Sequence, residues 1–133
     1  MQFNKTMTYT NLARSFAGES QAGMRYQLIA KLAIAEEYPV LADNIRTIAK
    51  NETNHAKTFF DTLVLKAGSR DNIDIDAGYP FQFGTLVENL KFAADGEKAE
   101  HEEVYPAFAA QAREEGFEDI AALFERVAGV ERE

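Results

Sequence analysis

The chain has 133 residues, no cysteine and a formal net charge of −8 at pH 7. This length suits one domain over residues 1–133 with a substantial core, and the lack of cysteine excludes disulfides, thiolate metal sites and a thiol nucleophile. The acidic charge argues against nucleic acid or a membrane surface as partner, because both require basic patches. No apolar run reaches the roughly 18 residues that cross a bilayer. With no secretory signal at the start, the cytoplasm is the expected compartment.

The first predicted helix begins near Thr8 or Thr10, either of which can cap it, and ends before Pro39. Its apolar stripe is spaced by three and four residues and carries Glu19 at its middle. Taken alone, Glu19 is better interpreted as a carboxylate at the edge of the stripe that reaches water.

Two glycines interrupt this first helix. Gly18 and Gly23 are unfavourable inside a helix, by up to ~1 kcal/mol each. Their presence predicts that another element approaches the helix closely at these positions.

The second predicted helix runs from Pro39, which suits a first helical turn, to Gly68, a natural C-terminal stop. Glu52 and His55 lie three residues apart on its apolar face. Burying such groups without partners costs several kcal/mol, so a partner is expected, and a metal ion is the simplest one. Without similar interruptions on other helices, a hydrogen-bonded pair at the edge of a core would be the better interpretation.

The stretch Ser69–Phe83 has no helical period and contains three aspartates. Fully extended, it could span about 50 Å, enough to return along a whole bundle. It is therefore predicted to be a crossover that makes the second and third helices parallel. The aspartate spacing fits no calcium-loop signature, so a solvated connection is favoured over a calcium site.

The third predicted helix opens near Gly84 and Thr85 and ends at Gly116. Its apolar stripe is broken at mid-height by two carboxylates, Glu97 and Glu100, which are three residues apart. The positions that continue the stripe are Val104, Ala107 and Gln111.

Two further residues of the third helix have distinct expectations. Pro106 lies inside the helical pattern and should kink the helix or displace one hydrogen bond. His101 flanks the stripe and is predicted to be a supporting or surface group rather than a metal ligand.

The fourth predicted helix begins near Phe117 and Glu118, and Glu131 extends its inward face. At about 25 Å it is much shorter than the others. The inner faces of its partners would then be partly bare at one end. A shortened fourth helix, or a neighbouring chain that covers the gap, is expected.

All four helices thus carry acid at inward positions. Their mutual repulsion in a low-dielectric interior would be several kcal/mol, which two divalent cations could offset. Carboxylates with imidazole and no sulfur suit iron or manganese, with zinc as an adventitious occupant. The arrangement matches the ligand plan of di-iron four-helix bundles. The candidate metal ligands are Glu19, Glu52, His55, Glu97, Glu100 and Glu131.

Three segments then show a resemblance that covers nearly the whole chain. The chain resembles the rubrerythrins, which implies an all-α, ferritin-like four-helix bundle with a long crossover between helices 2 and 3, here with a truncated fourth helix. The segments that carry the resemblance are residues 15–22 (SFAGESQA), 52–56 (ETNHA), and 96–100 (GEKAE) followed by 104–108 (VYPAF).

The resemblance also implies roles for the acidic residues. Glu52 and Glu131 would bridge two iron ions, Glu19 would hold one iron, and Glu97 would hold the second. The family's second Glu-x-x-His motif would place a histidine directly after Glu133, where this sequence stops.

The resemblance further implies roles for one pair of exchanging ligands and for two tyrosines. His55 and Glu100 would exchange as ligands of one iron when the redox state changes. Tyr26 and Tyr105 match tyrosines that lie beside the cluster and hydrogen-bond its ligands, which makes them the candidate catalytic residues. Ordinary core aromatics remain the alternative interpretation for both tyrosines.

The function implied is reduction of hydrogen peroxide to water by a di-iron centre. The family's four-cysteine rubredoxin domain is missing from the sequence, so electrons would come from an external donor such as a rubredoxin. Rubrerythrin-like bundles also form homodimers, often with exchanged helix pairs, which the Ser69–Phe83 crossover would permit. Two alternatives remain open: a ferroxidase or iron-handling protein, and a helical dimerisation module with a structural metal.

Overall fold

The computed structural model describes residues 2–132, with side chains described for residues 2–129, and every regular element in that part is helical. This confirms the all-α prediction. The helices are α1 (Met7–Ala35), α2 (Pro39–Ala67), α3 (Leu86–Ala99), α4 (Tyr105–Glu114) and α5 (Glu118–Arg132), with a 3₁₀ turn at Phe3–Lys5 and a π-helical turn at Glu100–Val104. The π turn joins α3 to α4, so these three elements together are the predicted third helix.

The start of α1 differs from the sequence prediction. Thr6, in an extended conformation, caps the helix by accepting a hydrogen bond from the Tyr9 amide, whereas the cap was expected at Thr8 or Thr10. Thr8 is instead the second helical residue, and both its amide and its hydroxyl donate to the Glu115 carboxylate at the end of α4.

The ends of α2 and the start of α3 follow the predicted signals. Pro39 is the first residue of α2, and Gly68 ends the helix in the left-handed region at φ 62°. Thr85 caps α3 in a reciprocal arrangement: the Glu88 amide donates to the Thr85 hydroxyl, and the Thr85 amide donates to the Glu88 carboxylate.

The π turn confirms the expected displaced hydrogen bond near Pro106. Here the Tyr105 amide donates to the carbonyl of Glu100, five residues back, instead of four. The extra residue shifts the buried face of α4 by one position. Val104 and Ala107, which were predicted to face inward, are therefore exposed. The residues of α4 that are buried instead are Tyr105, Ala109 and Ala112.

Two apolar clusters occupy the two ends of the bundle. The first, here called the aromatic cluster, joins α1, α2, α4 and α5 and includes Leu12, Phe59, Tyr105, Ile120 and Phe124. The second, here called the small-residue cluster, takes its buried residues from α1, α2 and α3. Its members are Tyr26, Ile29, Ala30, Ala33, Ala42, Ile45, Ala49, Leu86 and Ala93.

These clusters fix the direction of the helices. The start of α2 lies in the small-residue cluster and its end lies in the aromatic cluster, while α3 begins in the small-residue cluster with Leu86. Helices α2 and α3 are therefore parallel, as predicted, and residues 69–84 form the crossover between them. Within residues 2–132, no helix combines the length and the apolar character that crossing a membrane requires.

Candidate metal centre

A polar layer separates the two apolar clusters. Along α1, Glu19 lies between members of the aromatic cluster and members of the small-residue cluster, and along α2 Glu52 lies between the same two clusters. Glu19 is 0% exposed and Glu52 is 3% exposed. One ligand atom each from Glu19, Glu52 and His55 lie within 4.8 Å of one another. Part of the predicted constellation is thus gathered in one place.

His55 lies directly against the two buried carboxylates. Its Nδ1 atom is 3.6 Å from Glu19 Oε2 and 3.9 Å from Glu52 Oε2. The hydrogen-bonding interaction with Glu19 raises the pKa of His55, because the carboxylate favours the positively charged imidazolium. The site therefore attracts positive charge, whether a proton on His55 or a cation between the side chains.

Glu52 carries the strongest sign of an unfavourable charge. Burial raises its pKa far above the usual glutamate range, and the neighbouring Glu19 and Glu97 carboxyl groups raise it further. Among residues 2–129, no hydrogen-bond donor reaches Glu52 Oε2. A buried carboxylate oxygen in this state is stabilised either by a proton or by a bound cation.

Two buried tyrosines donate hydrogen bonds to the acidic residues. The Tyr105 hydroxyl donates to Glu19 Oε1 at 2.6 Å, and the Tyr26 hydroxyl donates to Glu97 Oε1 at 3.1 Å. Burial, followed by the charge of Glu97, raises the pKa of Tyr26, so its hydroxyl keeps its proton at neutral pH. Each tyrosine therefore holds one carboxylate oxygen and leaves the other oxygen for a different partner.

Glu97 and Glu100 approach the same layer from the α3 side. Both are half-buried, and the negative charges of both raise the pKa of His55. The π turn begins at Glu100, so the local widening of the helix coincides with this residue. Glu97 and Glu100, although predicted as ligands, are not in the group formed by Glu19, Glu52 and His55 among the described side chains.

Two further residues need separate mention. The side chain of Glu131 lies outside the described residues, so its inward position stays a prediction. His101 is largely buried, and its Nε2 atom is 3.9 Å from Glu102 Oε1 rather than beside Glu19 or Glu52. The cluster of potential ligands among residues 2–129 does not include it.

The sequence did not predict the cavity that lies beside the polar layer. It did predict a close approach at Gly18, which lines this cavity. The cavity, about 300 Å³ in volume, lies between α1, the crossover and the π turn, and Tyr79 lines it. A Cβ atom added at Gly18 would be 3.5 Å from the Tyr79 ring, and one added at Gly23 would be 3.5 Å from the Ala49 carbonyl oxygen. Both glycines thus mark close approaches, as predicted, but only the structure identifies the partner of Gly18.

The donor atoms of this centre are carboxylate oxygens and an imidazole nitrogen. These residues fit iron, manganese or zinc, because such metals accept oxygen and nitrogen ligands and the chain has no thiolate to offer. Glu52 Oε2 is buried and accepts no hydrogen bond among residues 2–129, which further supports a cation at this site. A helical bundle with a parallel crossover and a buried carboxylate–imidazole cluster defines the ferritin-like class of fold.

Comparison with known proteins identifies the family within this class. The rubrerythrin family model matches residues 10–133, and the chain belongs to that family. A rubrerythrin of Porphyromonas gingivalis is 43% identical over 127 residues, which cover 95% of this chain and 61% of that protein. A rubrerythrin of Clostridium perfringens is 41% identical over 127 residues, covering 95% of this chain and 65% of that protein.

Solved structures give the same result for the fold. Nigerythrin in a mixed-valence state superposes with a TM-score of 0.79 at 27% identity, covering 98% of this chain and 64% of that chain. The ferritin-like rubrerythrin fold predicted from the sequence is therefore confirmed. The chain spans less than two thirds of the length of each of these relatives.

Proposed function

We propose that the chain holds two iron ions in the polar layer and reduces hydrogen peroxide to water, as part of a defence against oxidative stress. The observation that carries the proposal is the cluster of Glu19, Glu52 and His55, where the buried Glu52 Oε2 accepts no hydrogen bond among the described residues and lies near other acidic groups. Membership of the rubrerythrin family supports the same assignment. Manganese or zinc could occupy the site, but only a metal that changes oxidation state would support the reaction.

The proposed ligands come from every long helix of the bundle. Glu52, which lies near Glu19 and Glu97, would hold both cations, and Glu131 is assigned the same role on the resemblance alone. Glu19 and Glu97 would each hold one cation. The full proposed set is Glu19, Glu52, His55, Glu97, Glu100 and Glu131.

Two ferrous ions at this site would supply one electron each to break the O–O bond of hydrogen peroxide, which takes up two protons and leaves as two waters. The protein's own residues determine whether the site can accept this change of charge. His55 offers a neutral ligand, and Glu100, whose charge acts on His55, offers an anionic one. An exchange between them would match ligand charge to oxidation state.

Tyr26 and Tyr105 are proposed to position the carboxylates rather than to react. Each hydroxyl donates to a carboxylate of the layer, Tyr26 to Glu97 and Tyr105 to Glu19, and so limits its rotation. Because the raised pKa of Tyr26 keeps its proton in place at neutral pH, its donor role does not change across the physiological range.

The remaining partners are proposed from the family and from the crossover. On membership of the rubrerythrin family, electrons are proposed to come from a separate redox protein such as a rubredoxin. A homodimer is proposed, and the crossover at residues 69–84 is long enough for helix pairs to exchange between chains. The cytoplasm is the proposed compartment.

The proposal is tested by stopped-flow oxidation of the iron-loaded, reduced protein. We expect oxidation by hydrogen peroxide to be at least about tenfold faster than by oxygen, equivalent to ~1.4 kcal/mol in the activation barrier. A Glu52→Gln variant should bind less iron and lose the reaction, whereas Glu102→Gln, exposed on the π turn, should retain both. Faster oxidation by oxygen, or uptake of more than two iron ions per chain, would favour a ferroxidase and contradict the peroxidase.

A further inference from the structure

The cavity beside the polar layer reaches two residues of the proposed centre. Its volume is about 300 Å³, its walls are mainly apolar, and its lining includes Glu100 and Tyr105. Four other surface cavities, of about 300 to 450 Å³, touch none of the proposed metal ligands among the described side chains. This cavity is thus distinguished from the other four by its contact with Glu100, a proposed metal ligand.

Small residues leave the space open. Gly18 on α1 and Gly96 on α3 both line the cavity. A Cβ atom at Gly96 would have no atom within 4 Å, so a side chain at that position has room to extend. Glycine in a helix is unfavourable by up to ~1 kcal/mol, and the open space beside Gly96 gives it no close neighbour that would require it.

The crossover forms the outer wall of the cavity. The Tyr79 hydroxyl donates to the Arg14 carbonyl at 2.8 Å, and Arg14 Nε donates to the Asp76 carbonyl at 2.9 Å. These two bonds attach the crossover to α1, and they hold the Tyr79 ring against Gly18. The wall is therefore made by a segment outside the helices, attached at defined points.

The charges along the cavity suit a neutral molecule. Two cationic side chains, Arg14 and Arg25, line it together with the carboxylate of Glu100. The arginines disfavour the passage of a metal cation, whereas an uncharged molecule does not interact strongly with them. A volume of about 300 Å³ also exceeds the roughly 30 Å³ that a water-sized molecule occupies.

We propose that this cavity is the route by which hydrogen peroxide reaches the polar layer. Gly96 leaves the cavity open, and Tyr79 forms part of its outer wall. The inference rests on the proposed function, because it names the entrance to the same centre. Tyr79 acts here as a positioning residue, because its hydrogen bond to the Arg14 carbonyl fixes the crossover over the cavity.

The first test fills the cavity. In Gly96→Leu, the iron content per chain should match that of the wild type, while the rate of oxidation by hydrogen peroxide should fall at least about tenfold. Ala94→Leu is the matched control, because Ala94 is exposed on the same helix and does not line the cavity. It should react at the wild-type rate.

A second measurement uses the metal-free protein. Xenon enters apolar cavities, so xenon pressure should shift the amide NMR signals of Gly18 and Gly78 in the wild type and in Ala94→Leu. The shifts should be lost in Gly96→Leu. Equal shifts in Gly96→Leu would show that the side chain does not fill the cavity and would contradict the assignment of Gly96.

A third measurement opens the outer wall. In Tyr79→Ala, oxidation by cumene hydroperoxide should increase relative to oxidation by hydrogen peroxide, because a wider entrance helps the larger molecule more. Tyr79→Phe keeps the ring and should change this ratio less. A ratio unchanged in both variants would contradict the role of Tyr79.

The outcomes separate the route from the function. If the wild type is not oxidised by hydrogen peroxide, the proposed function is wrong and the route has no substrate. If the wild type reacts and Gly96→Leu, with its cavity filled, reacts at the same rate, the route is wrong and the proposed function stands.

Discussion

The two ends of the bundle bury their apolar surface in different ways. In the aromatic cluster, Phe59 lies with its ring centroid 5.6 Å from those of Tyr105 and Phe124, and α5 covers the rings. Alanine supplies five of the nine buried residues of the small-residue cluster but five of the thirteen of the aromatic cluster, and among the described residues Tyr26 is the one ring buried in the small-residue cluster. The first end thus depends on ring volume, and the second depends on how closely the helix backbones approach.

The polar layer lies where these two kinds of packing meet. On α2, the small Ala49 precedes Glu52 and the ring of Phe59 follows His55. Large apolar side chains are left partly in water at both ends, for example Val87 at 78% exposure on α3 and Leu65 at 81% exposure on α2. Because the aromatic cluster buries more residues and more rings, we expect it to contribute more stability, while Gly23 lets the helices that hold Glu19 and Glu52 approach each other closely.

The largest expected effect comes from removing a ring at the aromatic end. Phe124 is 0% exposed, and Phe124→Ala should lower the free energy of unfolding by about 3–5 kcal/mol, through lost burial and a residual cavity. Chemical denaturation measures the change. Phe60→Ala, at a ring that is half-exposed on α2, is the control and should cost much less. A loss below ~1 kcal/mol for Phe124→Ala would contradict the expectation that the aromatic end contributes more stability than the small-residue end.

An intermediate effect is expected at the close approach of α1 and α2. A Cβ at Gly23 would already be 3.5 Å from the Ala49 carbonyl oxygen and from Glu52 Cβ, so alanine fits and a longer side chain does not. Gly23→Leu should therefore cost about 1–3 kcal/mol by overpacking. Gly129→Leu is the control on α5, because a Cβ there meets no atom within 4 Å. Equal stability of the two variants would mean that α1 and α2 move apart at Gly23 without lowering the free energy of unfolding.

The smallest expected effect concerns Glu115, which joins the end of α4 to the start of α1. Its carboxylate accepts hydrogen bonds from the amides of Met7 and Thr8 and from the Thr8 hydroxyl. Glu115→Gln should cost about 1 kcal/mol at pH 7, because a helix cap loses its charge. Chemical denaturation measures this cost, and Glu114→Gln, exposed on the same helix, should leave stability unchanged.

The stability difference between the wild type and Glu115→Gln should depend on pH, because the pKa of Glu115 differs between the folded and unfolded states. Burial raises the pKa of Glu115, but the hydrogen bonds from Thr8 and Met7 together outweigh it, and the pKa is lowered overall. The stabilisation is thus fully present above the usual glutamate value of 4.5 and is lost as the pH falls through the lower, folded-state pKa. The difference between wild type and Glu115→Gln should shrink below about pH 4.5. An equal difference at pH 7 and pH 3 would exclude the charge as its cause.

Local signals in the sequence were sufficient for much of the fold. Pro39 and Gly68 gave the ends of α2 because their backbone preferences act within the residue itself. Glu52 and His55 were recognised because helical spacing alone puts them on one face, and their meeting with Glu19 followed from the bundle. The glycines at 18 and 23 correctly indicated close approaches for the same reason: they are unfavourable unless something requires them.

Other features depended on residues distant in sequence, and these were missed. The cap of α1 was misplaced because Glu115, 107 residues from Thr8, occupies the groups that would otherwise serve a cap at Thr8. The inward face of α4 was wrong by one residue, since a regular helical period has no place for the π turn. Pro106 indicated a disturbed hydrogen bond there, but not that Tyr105 would replace Val104 in the core.

The crossover has a consequence for the order in which the chain folds. Helices α1 and α2 form a hairpin from neighbouring segments, whereas α3 must return over residues 69–84 before Glu97 can approach Glu52. The entropy of closing such a connection grows only slowly with its length, so the connection itself adds little to the barrier. We expect the acidic groups to meet late, with their repulsion slowing docking rather than helix formation. Divalent ions in the refolding buffer should then accelerate the final kinetic phase more than the early one.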